Sequence, residues 1–321
     1  MTSLTRAACC ICCLIVFLCT ANSARAWGCK GHQTVALIAE RHLTPEAREW
    51  VEKLLKENPI DPQTKRYCGF FASSALADGS TWPDDVRNQM KNGPWHYIDI
   101  PRGAEHQAIE GFCGAEGCVT KAIAEQWAIL KDKNAEPRKR AEALRYLTHF
   151  VGDLHMPLHA TSNSDEGGNC VPVNYFHRHA HEHAHSSYSP NLHALWDTSI
   201  LERDMEGADP QEFGEILDRI FSLDSDIWMQ AGVHVETWAW ESHDLAEGFV
   251  YGELVPKIPI EAPVAVHSCS DDNNVGQRLF QMHIYAGPAY QESSAPIVEQ
   301  RIAQAGVRLA VMLNEAASTA K

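Results

Sequence analysis

The sequence predicts an all-α protein: a single, mainly helical domain with one short β-hairpin. Three observations carry that prediction. Apolar residues recur at helical spacing behind capping residues, strand-like alternation is scarce, and no Gly/Ser, Pro-rich or charge-block linker divides the chain. With 321 residues, 45% of them hydrophobic and 21% charged, there is apolar material for a large core.

Arg6 opens a short basic start, and Ala7 to Cys19 form an almost unbroken apolar run too short to span a bilayer comfortably. Ala24-Arg25-Ala26 then supplies the small-x-small pattern that signal peptidase accepts. Residues 1–26 read as a cleavable export leader, so that cleavage after Ala26 makes Trp27 the mature N-terminus of a domain spanning 27–321. Thr44-Pro45 reads as an N-cap and first helical position ahead of Trp50, Val51, Leu54 and Leu55. Asp209-Pro210 repeats the signal before Phe213, Ile216, Leu217 and Ile220. The segment from Pro296 to Leu313, with Ile297, Ile302, Leu309 and Leu313 on one stripe, reads as a closing helix. Val171 to Phe176 is the hairpin candidate, turned on Gly167-Gly168-Asn169. No repeat at solenoid periods is present.

Lys and Arg total 27 against 42 Asp and Glu, a net charge of −15. That balance argues against gripping duplex DNA through a broad basic face. Of the 11 cysteines, Cys9, Cys10, Cys12, Cys13 and Cys19 lie in the leader; Cys29, Cys68, Cys113, Cys118, Cys170 and Cys269 remain. An even set in an exported chain points to disulfides. Cys113 and Cys118 are close enough to close a small loop, but six cysteines allow about fifteen full pairings and the sequence does not choose among them. No later apolar run is long enough for a membrane anchor, and no N-x-[ST] acceptor occurs. The expectation is a secreted or periplasmic monomer with no evident protein partner.

The chemistry lies in histidines and aspartates. His149 and Asp153 are one helical turn apart and share a face. Such a pair alone is more often a surface ion pair than a pair of metal ligands. His193 and Asp197 repeat the spacing in an apolar setting, where unpaired polar groups are costly and a cation would satisfy them. His159 follows Pro157, which ends or kinks the helix and swings that imidazole off the His149 face. His96, Asp84 and His32 are further candidates, each with an ordinary explanation: a core histidine, a helix cap, a polar residue near the mature terminus. Imidazole and carboxylate without thiolate is the pattern of catalytic rather than structural zinc. Several such ions in one cleft imply hydrolysis, and their charge would draw phosphate to an otherwise acidic protein.

These residues occur within an ordered set of motifs: Trp27-Gly28-x-x-Gly31-His32, Trp82-Pro83-Asp84-x-x-Arg87, His96-Tyr97-x-Asp99, His149-Phe150-x-Gly152-Asp153-x-x-x-Pro157-Leu158-His159, Gly167-Gly168-Asn169, Asn191-Leu192-His193-x-x-Trp196-Asp197 and Ala305-Gly306-Val307-Arg308-Leu309-Ala310. Spanning nearly the whole mature chain, the set resembles the zinc-dependent single-strand nucleases of the nuclease S-one/P-one type, with the plant bifunctional nucleases and the 3'-nucleotidase/nucleases. The resemblance implies a helical phospholipase C/nuclease-type fold holding three Zn²⁺. By that resemblance Asp84, His96, His149 and Asp153 hold one ion and His159, His193 and Asp197 the second. His32, a shared Asp153 and the backbone amino and carbonyl groups of Trp27 hold the third. A free α-amine can lose its proton to a metal near neutral pH, so leader cleavage would itself create a ligand.

The resemblance further implies endonucleolytic hydrolysis of single-stranded RNA and DNA to 5'-phosphorylated products, with 3'-nucleotidase activity. Catalytic roles fall to Arg87, beside the scissile phosphate, and to Asp99 and Asp153; Tyr97 and Asn169 are substrate-binding positions. Tyr97 matches a base-stacking aromatic, worth about 1–3 kcal/mol per base and tolerant of every base. His155 takes no ligand position in the pattern. One segment departs from it: His177, His179, His181, His183 and His185 alternate where the family has a shorter turn. In an extended chain they would share one side and could collect extra zinc, copper or nickel; they also suit a flexible polar loop. Two other functions compete, a zinc-dependent phospholipase C and a non-enzymatic His-rich metal-binding protein. The second explains the alternating histidines but not the dispersed ones.

Overall fold

The computed structural model describes residues 27–71, 73–183, 187–264, 268–269 and 275–319. The leader and His185 lie outside them. Among the described residues, helices surround one large apolar core, a small second cluster gathers Cys170, Tyr188 and Cys269, and the strands are of two residues each.

The first helix, Cys29–Arg41, is buried continuously from Gly31 to Ala39. A helix without an exposed face belongs in the middle of a core, and this one packs against Pro137–His155, Pro210–Ile220 and the closing helix Pro288–Thr319. Gly306 permits the last contact, since a Cβ there would stand 2.6 Å from the Ile38 Cβ.

Both expected caps form. The Thr44 hydroxyl accepts from the Ala47 N–H at 3.2 Å, and the Asp209 carboxylate accepts from the Glu212 N–H at 2.9 Å. The closing helix differs from expectation in starting at Pro288, with Pro296 inside it. An internal proline removes one backbone hydrogen bond; burial of Tyr290, Ser294, Val298 and Ile302 along the inner face holds the helix through it.

The hairpin also lies elsewhere than expected. Asn174–Tyr175 pairs in parallel with Tyr285–Ala286, while the antiparallel pair is His181–Glu182 with Tyr188–Ser189. Gly167-Gly168 does not turn a hairpin because it wraps the histidine site instead: both glycines have positive φ, and a Cβ on Gly167 would meet the Leu158 carbonyl oxygen at 2.6 Å. Disulfides join Cys29 to Cys68, Cys113 to Cys118 and Cys170 to Cys269. These fit an oxidising compartment, and no helix among the described residues is long and apolar enough to cross a membrane.

Candidate active site

Three groups of buried ligand atoms lie side by side: His32, His149 and Asp153; Asp84, His96 and His149; and His159, His193 and Asp197. Within each group the atoms fall within 4.8 Å of one another. A fourth grouping, Glu166 with Cys170 and Cys269, offers no thiolates because its sulfurs are bonded to each other.

The helix Pro137–His155 supplies His149 and Asp153 one turn apart, as their spacing requires. Asp153 is central. Its Oδ2 lies 3.0 Å from His96 Nδ1 and 3.4 Å from His149 Nε2, while Oδ1 lies 3.3 Å from His32 Nε2. The His32 ring stacks on His149 at 3.8 Å between centroids. That approach needs Gly152, where a Cβ would stand 2.9 Å from His32 Nδ1. Asp84, in the short helix Trp82–Asp85, brings Oδ1 to 3.9 Å from His96 Nδ1 and 4.0 Å from His149 Nε2.

Pro157 ends the long helix as its chemistry dictates, and the single turn Pro157–Ala160 carries His159 to the other group. There His193 Nε2 lies 3.2 Å from Asp197 Oδ2, and His159 Nε2 lies 3.9 Å from Asp197 Oδ1. Asp197 sits in a π-turn, Leu195–Ser199, and its carbonyl accepts from the Gly28 N–H at 2.8 Å. Trp27, fully buried beside Gly31 and Gly152, is thereby held between the two arms of the site.

Backbone carbonyls set the tautomers. His149 Nδ1 donates to Ser80 O, His159 Nδ1 to His96 O and His193 Nδ1 to Gly167 O, each at 2.7 Å. Each Nε2 is then left with a lone pair directed into the site. The His159 and His193 Nε2 atoms nonetheless approach to 3.2 Å, and the buried Asp197 carboxylate meets only these two imidazoles, His193 at 3.2 Å and His159 at 3.9 Å, among the ion-pair contacts of the described residues. Imidazole lone pairs beside a buried carboxylate make a donor set that fits a cation and fits little else.

The electrostatics agree. Burial, then Asp84 and Asp197, push the Asp153 carboxyl well up, and burial pushes Asp197 to about 6. Burial pushes His96 and His159 well down. At His193 burial opposes the charge, but Asp197 and the Gly167 carbonyl together outweigh it and the net shift is upward. Apart from His193, whose opposite charge is Asp197, these crowded groups resist their charged forms until an opposite charge joins them.

Arg87 bears electrostatically on His96, Asp153, His159, His193 and Asp197 alike. It also acts on Tyr97, which is half-buried and whose phenol is raised by burial and by Asp99. Asp99 reaches solvent from a recess in which desolvation, with help from Asp165, pushes its carboxyl up to about 6. Asn169 uses its side-chain amide to donate to Glu166 O at 2.8 Å, closing its own turn.

The S1/P1 Nuclease family model matches residues 27–318. The chain belongs to the S1/P1 nuclease family. It is 30% identical over 306 residues to nuclease P1 of Penicillium citrinum, covering 90% of this chain and 97% of that protein. Endonuclease 4 of Arabidopsis thaliana is 27% identical over 310 residues, covering 91% and 90%. Nuclease S1 of Aspergillus oryzae is 25% identical over 299 residues, covering 91% and 92%. This S1/P1 nuclease is a phosphodiester hydrolase acting on nucleic acid, which decides between the enzymes weighed above.

Sequence reasoning missed the groups that hold these side chains. The carbonyls of Ser80, His96 and Gly167 are invisible as letters. At the end of the Pro137–His155 helix, Ser242 Oγ donates to Leu154 O, and Arg301 Nε donates to His155 O at 3.1 Å. The only signal was Arg308 in the last motif, which carried no role.

Proposed function

We propose that the chain is an exported, zinc-dependent endonuclease that hydrolyses single-stranded RNA and DNA to 5'-phosphorylated products and also dephosphorylates 3'-nucleotides. Export, secreted or periplasmic, would follow leader cleavage after Ala26, and the three disulfides support it. The observation that carries the metal assignment is the 3.2 Å approach of His159 and His193 through nitrogens whose partner atoms have already committed the ring protons. Two facing lone pairs repel, and a shared cation removes the conflict.

Asp84, His96, His149 and Asp153 would hold one zinc, His159, His193 and Asp197 a second, and His32, Asp153 and the Trp27 amino and carbonyl groups a third. Zinc bound there would polarise the phosphoryl group and make water acidic enough to attack at neutral pH. Arg87 docks the scissile phosphate and stabilises the charge that grows on it. Asp99, with its carboxyl near 6, orients water at the rim and exchanges a proton with it. Tyr97 stacks on a base, a contact open only to bases outside a duplex and indifferent to their identity. Asn169 keeps the Gly167-Gly168 turn in place and offers its amide oxygen to substrate.

The test is metal content by mass spectrometry on the mature protein, with cleavage of single-stranded RNA and DNA before and after chelation. Three zinc ions and chelator-sensitive release of 5'-phosphorylated products are expected. Full zinc content with products bearing 3'-phosphate would overturn the reaction assigned. Metal retained only while residues 177–185 are intact would overturn the assignment of the buried groups.

A further inference from the structure

Of the alternating histidines, the described His177, His179, His181 and His183 belong to none of the buried groups above, and the fold gives His181 and His183 a surface of their own. In the antiparallel pair, His181 lies opposite Ser189 and Glu182 opposite Tyr188. The His183 N–H donates to Ser187 O at 2.8 Å and extends the pairing by one residue. Opposed residues share a face and successive residues alternate, so the two-faced hairpin is sorted. Tyr188 is buried against Phe280 and the Cys170–Cys269 disulfide, which anchors one face. His181 and His183 occupy the other.

Their rings stand 4.4 Å apart between centroids, edge to face, and both residues are exposed. His181 Nδ1 donates to His179 O at 3.3 Å, so its Nε2 keeps the lone pair. We propose that His181 and His183 form a surface site for an imidazole-preferring divalent ion, Zn²⁺, Cu²⁺ or Ni²⁺, separate from the buried groups and not dependent on how those are read. Two imidazoles on a pre-formed hairpin select such borderline ions over Mg²⁺ and Ca²⁺, which prefer oxygen. Water completes the coordination of an ion held by two protein nitrogens on an exposed face. The site therefore fills after the enclosed groups and empties before them. Its base is tied to the active site, for Leu192 N–H donates to Val171 O immediately before His193.

The probe is copper(II) chloride added to zinc-loaded mature protein after dialysis, with both metals counted by mass spectrometry and copper read by electron paramagnetic resonance. One bound copper with a two-nitrogen signature and an undiminished zinc count is expected. The double variant H181N/H183N should lose that copper while keeping its circular dichroism and nucleic-acid cleavage; H177N/H179N should retain it. Should the double variant misfold, H181N and H183N singly should each turn the two-nitrogen signature into a one-nitrogen signature. An unchanged copper count and spectrum in the histidine variants, or copper uptake matched by zinc loss, would overturn the proposal.

Discussion

Arg308 Nη1 donates to His155 Nε2 at 2.9 Å across a separation of 153 residues. The neighbouring Arg301 donates to the His155 carbonyl, and Glu241 accepts from both arginines. His155 is neutral: burial, then Arg301 and Arg308, push it well down, and its Nδ1 donates to Val151 O. The closing helix thus clamps the end of the helix that carries His149 and Asp153.

Removing either arginine leaves Glu241 underpaired, and removing Arg301 also takes the donor from the His155 carbonyl at the helix end. R301A is expected to lower unfolding stability by about 3–5 kcal/mol, the usual cost of breaking a buried pair, and to lower the metal content of the folded protein. R308K keeps the charge but loses the fork that reaches His155 and Glu241 together, so it should fall between R301A and wild type. Urea denaturation with metal analysis checks both; wild-type midpoints would remove the clamp.

Gly167 has φ of +58°, and a Cβ there would press on the Leu158 carbonyl oxygen. G167A should cost about 1–3 kcal/mol and draw the Gly167 carbonyl off His193, releasing one metal ion per chain. Gly207 is the control, with φ of +94° and nothing within 4 Å of a built Cβ. G207A should carry backbone strain and lose no metal.

Asp204 and Glu299 meet in a half-buried contact, where burial and then Asp204 push Glu299 up to about 7. The folded state binds this proton more tightly than the unfolded state. The contact's contribution to stability is therefore complete below the ordinary glutamate range and is lost as pH rises through about 7. Between pH 5 and 8, wild type should lose more melting temperature than E299Q does. Equal slopes in the two pH series would show that the pair does not titrate there.

Trp27 is buried, and the Gly28 N–H holds the Asp197 carbonyl. Any residue retained ahead of Trp27 turns the proposed amine ligand into an amide, which does not bind zinc at neutral pH. Protein prepared with one extra N-terminal residue should hold one zinc fewer than protein beginning at Trp27, with its far-ultraviolet circular dichroism unchanged.

Local chemistry explains what was legible in the sequence. Thr44-Pro45 and Asp209-Pro210 are short-range signals and mark true helix starts. The i, i+4 pairs and the break at Pro157 place His149, Asp153, His159, His193 and Asp197 because helix geometry alone decides who faces whom. What escaped is long-range or lacks a side chain: the carbonyls that orient the imidazoles, the π-turn at Asp197, and the Arg301 clamp. The hairpin was misplaced because Gly167-Gly168 reads as an ordinary turn until the site it wraps is known.

The first helix packs on the last, and the helix that carries His149 and Asp153 is closed by arginines from near the end of the chain. A partly synthesised chain that ends before Pro288 already contains all the histidines and aspartates proposed as ligands, yet it lacks the arginines that hold His155. The clamp on the helix that carries His149 and Asp153 is thus among the last features of the fold that synthesis can complete.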